Sequence, residues 1–172
     1  MPRITALPLE QASPAALELL QDAKSKIGMV PNLFSTLAHS PAALAGYLQL
    51  DGNLKTGALS QVQREIISLA IGQFNQCGYC LSAHTLMGKG AGLSPDAIAA
   101  ARQGRGSAVA ELAVKVAQTH GNISDADLGA AREAGLSDAQ IIEVVAGVAL
   151  NVLTNYLNNL AQTVIDFPKV SV

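Results

Sequence analysis

Nowhere in its 172 residues does this sequence sustain the alternation of apolar and polar side chains that a half-buried β-strand requires. Helix punctuation takes its place. "SPAALELLQDAKSKIG" opens on a serine cap with proline in the first turn and closes on Gly28. "VPNLFSTLAHSPAALAGYLQLDGNLKTG" reads as a turn at Pro31, a short helix, a break before Pro41 and a longer helix. "LSQVQREIISLAIGQFNQ" sets Ser60 and Gln63 at capping-box positions, and Val62, Ile66, Ile67, Leu69, Ala70 and Phe74 form a helical stripe. "CGYCLSAHTLMGKGAG" continues as helix until the glycines at 88, 90 and 92 end it. "LSPDAIAAARQG" and "SDADLGAAREAG" are short helices, with "SAVAELAVKVAQTHG" a longer one between them. The last helix starts from a second capping box, Ser137 with Gln140, and is expected to be long and kinked at its asparagine cluster. Pro168 is expected to end the ordered chain. The fold class is therefore all-α. No Pro/Gly/Ser-rich linker divides it, so residues 1–172 form one domain. Its parts are a helical lead-in over about 1–57, a cysteine-bearing core over about 58–104 and a second helical half over about 105–168.

Composition narrows the partners. Hydrophobic residues make up 49% against 14% charged, yet aromatics are only 3% and tryptophan is absent. Such small side chains let helices approach closely, and so sparse a charged surface points to apolar faces covered by other copies of the chain. A net charge of −2 without any basic cluster gives no case for nucleic acid. "MPRITALPLEQ" lacks the apolar core of a signal peptide, and "IIEVVAGVALNVL" is too short to span a bilayer and carries Glu143. A cytoplasmic protein without a membrane partner is expected. There, paired cysteines are more often catalytic or metal-binding than structural.

A faint internal repeat is visible. Sliding the chain by 77 residues (136 minus 59) sets Leu59, Ser60, Gln63 and Tyr79 on Leu136, Ser137, Gln140 and Tyr156. On that alignment Glu65, Cys77, Cys80 and His84 fall on Ile142, Thr154, Leu157 and Ala161. One copy keeps the reactive groups; the other is scaffold.

Both cysteines and a histidine lie within "NQCGYCLSAH". Cys77, Cys80 and His84 are spaced by three and then four residues, so on a helix they share one face. The two sulfurs are then close enough for a disulfide with little rearrangement, and His84 lies one turn beyond Cys80, in reach of its proton. Glu65 precedes Cys77 by twelve residues, roughly 18 Å along one unbroken helix. It can assist only if the chain breaks near Asn75–Gln76 and folds back, with Asn75 capping the restart. A restart there puts the cysteines at a helix N-terminus, where thiolate is favoured. Dithiol redox chemistry fits this best. Buried packing cysteines and a structural zinc site fit less well, the latter because only His39, His120 and carboxylates remain as further ligands. A thioredoxin-type fold lacks its βαβ pattern.

The pattern of Glu65, Cys77, Cys80 and His84, E-x11-C-x2-C-x3-H, resembles the core signature of the AhpD-like alkylhydroperoxidases of the carboxymuconolactone decarboxylase superfamily. "GMVPNLFSTLAHSPAAL" resembles their helical lead-in, and "NVLTNYLNNLAQTVIDFP" the tail of the peroxidase-related branch. The resemblance implies an AhpD-like helical bundle and a homo-oligomer, trimeric or hexameric. It implies a cysteine-dependent peroxidase with no haem, flavin or metal. Cys80 would attack a small hydroperoxide, Cys77 would resolve the product as a redox-active Cys77–Cys80 disulfide, and His84 with Glu65 would relay protons. A dithiol reductant, in some members a lipoyl-bearing protein, would restore the thiols. Family members can carry histidine between the cysteines where this chain has Tyr79.

Two other readings stay open: a non-enzymatic dithiol redox switch, and a metal-binding protein using Cys77, Cys80, His84 and Glu65. His39 and His120 are expected to serve helix ends. Asn151, Asn155, Asn158 and Asn159 are expected to make caps and inter-helix hydrogen bonds, outside the site.

Overall fold

The structure, a computed structural model, describes residues 1–172 and is entirely helical. Nine α-helices follow a short 3-10 turn: α1 (Pro14–Ile27), α2 (Asn32–Leu37), α3 (Pro41–Leu54), α4 (Gln61–Phe74), α5 (Gly78–Gly90), α6 (Pro95–Arg102), α7 (Ala108–Thr119), α8 (Asp125–Glu133) and α9 (Asp138–Ala161). The serine signals act where they were read. Ser13, Ser40, Ser60, Ser94, Ser107, Ser124 and Ser137 each accept a hydrogen bond from a backbone N–H of the first turn. The boxes at Ser60 and Ser137 are closed by Gln63 and Gln140.

α4 is the hub, packed by α5, α6, α7 and α9. Its face bearing Ile67 and Ile71 meets α7 and α9 in one core around Leu112, Val116, Val144 and Val148, while Leu69 meets Leu81, Ile98 and Ala101 in a second. A third core joins α1, α2 and α3 to the start of α5 and includes Cys77, Tyr79 and Cys80. The lead-in thus closes over the cysteine turn. Burial of this apolar surface is what orders the helices.

Several expectations are corrected. α5 runs through Gly88 and ends only at Gly90. A side chain at Gly88 would press within 3.1 Å of Leu93, so glycine there serves packing. α9 is one continuous helix over 24 residues, not broken at its asparagines, whose side chains bond within the helix, to the α4–α5 turn or to α5. The internal repeat extends over α4 and the first half of α9 and stops there. The turn at residues 75–77 corresponds to residues 152–154, which carry no stop signal and stay helical. Pro168 does not end the ordered chain. The segment beyond α9 crosses back over α5, Phe167 standing edge-on to Tyr79 at 5.6 Å. Val170 N–H donates to Ser82 Oγ at 3.2 Å and the Arg102 guanidinium donates to the Ser171 carbonyl at 2.6 Å.

α9 is long and apolar enough, by length and composition, to cross a bilayer, although its apolar runs are interrupted in sequence. Its buried side packs on α3, α4, α5 and α7. The opposite side leaves Ile142, Val145, Leu153, Tyr156 and Leu160 exposed in a continuous stripe.

Candidate active site

Glu65 and His84 meet because the chain reverses between α4 and α5, as their spacing demanded. The reversal is made by Gln76, whose φ of 53° is left-handed. Cys77 N–H then donates to the Gly72 carbonyl at 2.8 Å, closing the turn. Asparagines of α9 pin it from outside: Asn75 Nδ2 donates to Asn155 Oδ1 at 2.9 Å, and Asn159 Nδ2 donates to the Asn75 carbonyl at 2.8 Å. Asn75 is the last residue of the α4 cap and not the cap of α5, since Gln76 intervenes. Cys77 itself caps α5, its sulfur accepting from Cys80 N–H at 3.3 Å.

Gln76 is exposed and its side chain makes no hydrogen bond, so its strain is local. Gln76→Gly is expected to raise stability by about 0.5–1 kcal/mol, the strain relieved less the extra unfolded-state entropy of glycine. Gln76→Val, β-branched at the same φ, should lower it by about 2 kcal/mol. Urea unfolding of the two variants checks both signs.

His84 Nδ1 lies 2.8 Å from Glu65 Oε2, the two side chains being 21% and 13% exposed. With the carboxylate as acceptor, Nδ1 carries the hydrogen and Nε2 is left for chemistry. Burial pulls the imidazole's pKa down, but the hydrogen bond and charge of Glu65, with the charges of Cys80 and Asp51, raise it above its ordinary value. His84 is thus held as imidazolium more readily than a free histidine.

The two thiols are driven apart. Cys77 is wholly buried and Cys80 is 3% exposed. A hydrogen bond from the Cys77 thiol lowers Cys80, against the cost of burial, and His84, Asn158 and Asn155 lower it further, to about 6. The same Cys77–Cys80 hydrogen bond, then burial and the neighbouring thiolate charge, raise Cys77 far above the usual thiol range. Position at the helix N-terminus alone would favour ionising Cys77, the cap; the donors converging on Cys80 reverse that order. These shifts favour a thiolate at Cys80 beside a thiol at Cys77.

Asn158 was not foreseen as a site residue. Its Nδ2 donates to Cys80 Sγ at 3.3 Å. The sequence signal is a polar stripe in the second half of α9, Asn151, Thr154, Asn155 and Asn158, all buried. Asn158→Leu keeps the branched heavy-atom skeleton, though it is bulkier, and removes the donor. Cys80's pKa lies below the ordinary value, so its thiolate persists above about 6 and is lost as pH falls through it. The variant is expected to move the midpoint of iodoacetamide alkylation upward by about one pH unit, the worth of a hydrogen bond to a charged group.

Cys80, His84 and Glu65 line a cavity of about 1220 Å³, over half of whose 36 lining residues are hydrophobic. Tyr47, from α3, lines it too, its ring edge-on to Phe34 at 5.6 Å. Burial, then the charges of Asp51, Cys80 and Glu65, raise the Tyr47 phenol, which stays a protonated donor. Tyr79 faces the lead-in, its hydroxyl accepting from Leu33 N–H at 3.1 Å. His39 bonds the Thr5 carbonyl at 2.9 Å and His120 ends α7 in a left-handed cap. No three His, Cys, Asp or Glu side chains converge in a group able to hold a metal ion.

Residues 41–119, α3 through α7, match the model of the Carboxymuconolactone decarboxylase family. The match covers 79 of the 172 residues and takes in the helices that carry Glu65, Cys77, Cys80 and His84. Among solved structures, the chain is similar to an alkylhydroperoxidase AhpD core, an uncharacterized peroxidase-related protein from Ralstonia eutropha JMP134. The two share 24% identity at a TM-score of 0.76, over 96% of this chain and 92% of that one. It is also similar to an uncharacterized peroxidase-related protein from Silicibacter sp. TM1040, with 22% identity and a TM-score of 0.79 over 94% and 91% of the two chains. A cysteine-to-alanine variant of the debrominase Bmp8, in complex with 2,3,4-tribromopyrrole, is 15% identical with a TM-score of 0.75 over 95% and 91%. These likenesses show that the chain has the AhpD-like fold. No curated protein sequence matches it.

Proposed function

We propose that the chain is a cysteine-dependent peroxidase that reduces organic hydroperoxides with the Cys77–Cys80 dithiol. The observation that carries this reading is a lowered thiolate at Cys80, bonded by a raised thiol at Cys77, on the wall of a largely apolar cavity. A resting thiolate is the nucleophile that peroxide cleavage needs, and a neighbouring thiol is what captures its product. Cys80 Sγ attacks the outer peroxide oxygen. The O–O bond breaks, and the departing alkoxide takes a proton from His84 to leave as an alcohol. Cys80 is then a sulfenic acid. Cys77 sulfur attacks Cys80 sulfur; the sulfenic hydroxyl leaves with the Cys77 proton as water, and the disulfide forms. An external dithiol, such as a lipoyl group, is oxidised to its own disulfide and returns both hydrogens.

Glu65 keeps His84 oriented and charged, a role that suits their 2.8 Å contact. Self-association belongs to the same proposal, supported by the exposed apolar stripe along α9. The test is steady-state reduction of cumene hydroperoxide with dihydrolipoamide. Sustained turnover beyond one equivalent per chain is expected. A redox switch would oxidise once and stop.

A further inference from the structure

The cavity that holds Cys80 has an unequal charge ledger. Eight acidic or basic side chains line it, and seven are answered within the protein. Lys26 meets Asp22 at 2.7 Å and Lys55 meets Asp51 at 2.6 Å. Glu65 meets His84 at 2.8 Å. The Arg64 guanidinium is the exception: it donates to the Leu59 carbonyl and has no carboxylate within salt-bridge distance. The fourth acid on the cavity wall, Glu143, is turned away to accept from Ala58 and Leu59 N–H at 2.7 and 2.9 Å. Its carboxylate fills the space that a side chain at Gly57 would need.

Arg64 is half-buried and lines the cavity, and of a guanidinium's five donors only one is used, on the Leu59 carbonyl. Its place along α4 is informative. Gly72, eight residues on, lies against Cys80, a side chain there reaching to 3.7 Å from Cys80 Cβ. Eight residues of helix separate the Arg64 and Gly72 backbones by about 12 Å, and the guanidinium bonds back to the Leu59 carbonyl, farther from the thiol end. Over half of the residues lining the cavity are hydrophobic. An extended acyl chain with an anionic head matches that layout, its head answering the one uncompensated cation.

We propose that Arg64 is a specificity residue that recognises a carboxylate, and that the preferred substrates are hydroperoxides of apolar carboxylic acids. The carboxylate lies at Arg64 and the peroxide at Cys80. This rests on the peroxidase reading, but its test does not. Decanoate and decanol are compared for how well each protects Cys80 of the reduced, full-length protein from iodoacetamide, which needs no peroxide. In the wild type, decanoate is expected to protect at about ten- to a hundredfold lower concentration than decanol. Arg64→Gln should erase that difference while leaving protection by decanol unchanged, and Arg64→Lys should retain part of it. Unchanged decanol protection also shows that the Gln variant has kept its cavity. Equal protection by the two probes in the wild type, or a decanoate preference that survives Arg64→Gln, overturns the proposal. Failure to turn over any hydroperoxide, with decanoate still preferred, would instead count against the peroxidase reading.

Discussion

Cys80→Ser is expected to abolish hydroperoxide consumption, with a loss of about a thousandfold or more. Cys77→Ser is expected to leave one turnover per chain, halted at a sulfenic acid. The asymmetry follows from the two environments. Cys80 receives the Asn158 amide, the Cys77 thiol and the field of His84, all of which favour sulfur anion, and it lines the cavity. A serine hydroxyl at that position stays protonated at neutral pH and has no nucleophile to offer. Cys77 is wholly buried, does not line the cavity and is held as thiol. Its part begins only when Cys80 has been oxidised beside it. Dimedone labelling of Cys77→Ser after one equivalent of peroxide should mark Cys80. Serine is slightly smaller than cysteine and can still accept from Asn158, so circular dichroism should be unchanged in both variants. Equal residual turnover in the two would contradict the assignment of roles.

The second large effect is at the proton pair. His84→Ala should slow peroxide reduction at neutral pH by about 10²- to 10⁴-fold, the usual worth of a positioned acid–base group. Glu65→Gln should cost less, because the amide still accepts from Nδ1 but no longer charges the ring. The pH profiles separate the two. In the wild type the His84 pKa is raised, so its proton is held to higher pH than on a free imidazole and is lost as pH rises through that raised value. Glu65→Gln lowers the value, and the alkaline fall in rate should begin at lower pH. His84→Ala should remove that limb and raise the acid midpoint of Cys80, which loses the neighbouring positive charge. A His84→Ala enzyme with a wild-type profile would show that proton transfer runs through another group.

Much of this arrangement was legible in residue types alone. Serine caps mark helix starts by a local hydrogen bond, so they can be read without tertiary information. The demand for a reversal between Glu65 and Cys77 was likewise geometric. What could not be read lay in pairings across long sequence separations or in conformations unusual for the residue. Gln76 adopts a left-handed φ that sequence would assign to glycine or asparagine, and this displaced the cap from Asn75 to Cys77. Asn158 reaches Cys80 across 78 residues, and only the packing of α9 on α5 brings them together. Arg64 reads as an ordinary helix residue until the partners of every other charge in the cavity are known. The segment after Pro168 looked like a tail because its anchors, Ser82 and Arg102, lie on distant helices.

The central claim is that the Cys77–Cys80 pair delivers two electrons to a hydroperoxide. The most direct test mixes the fully reduced protein with one equivalent of cumene hydroperoxide and no external reductant, then maps the products by mass spectrometry. The account predicts one alcohol formed per chain, with one hydrogen lost from each sulfur in a Cys77–Cys80 disulfide. A folded, reduced protein that leaves the peroxide intact and both thiols free would contradict it.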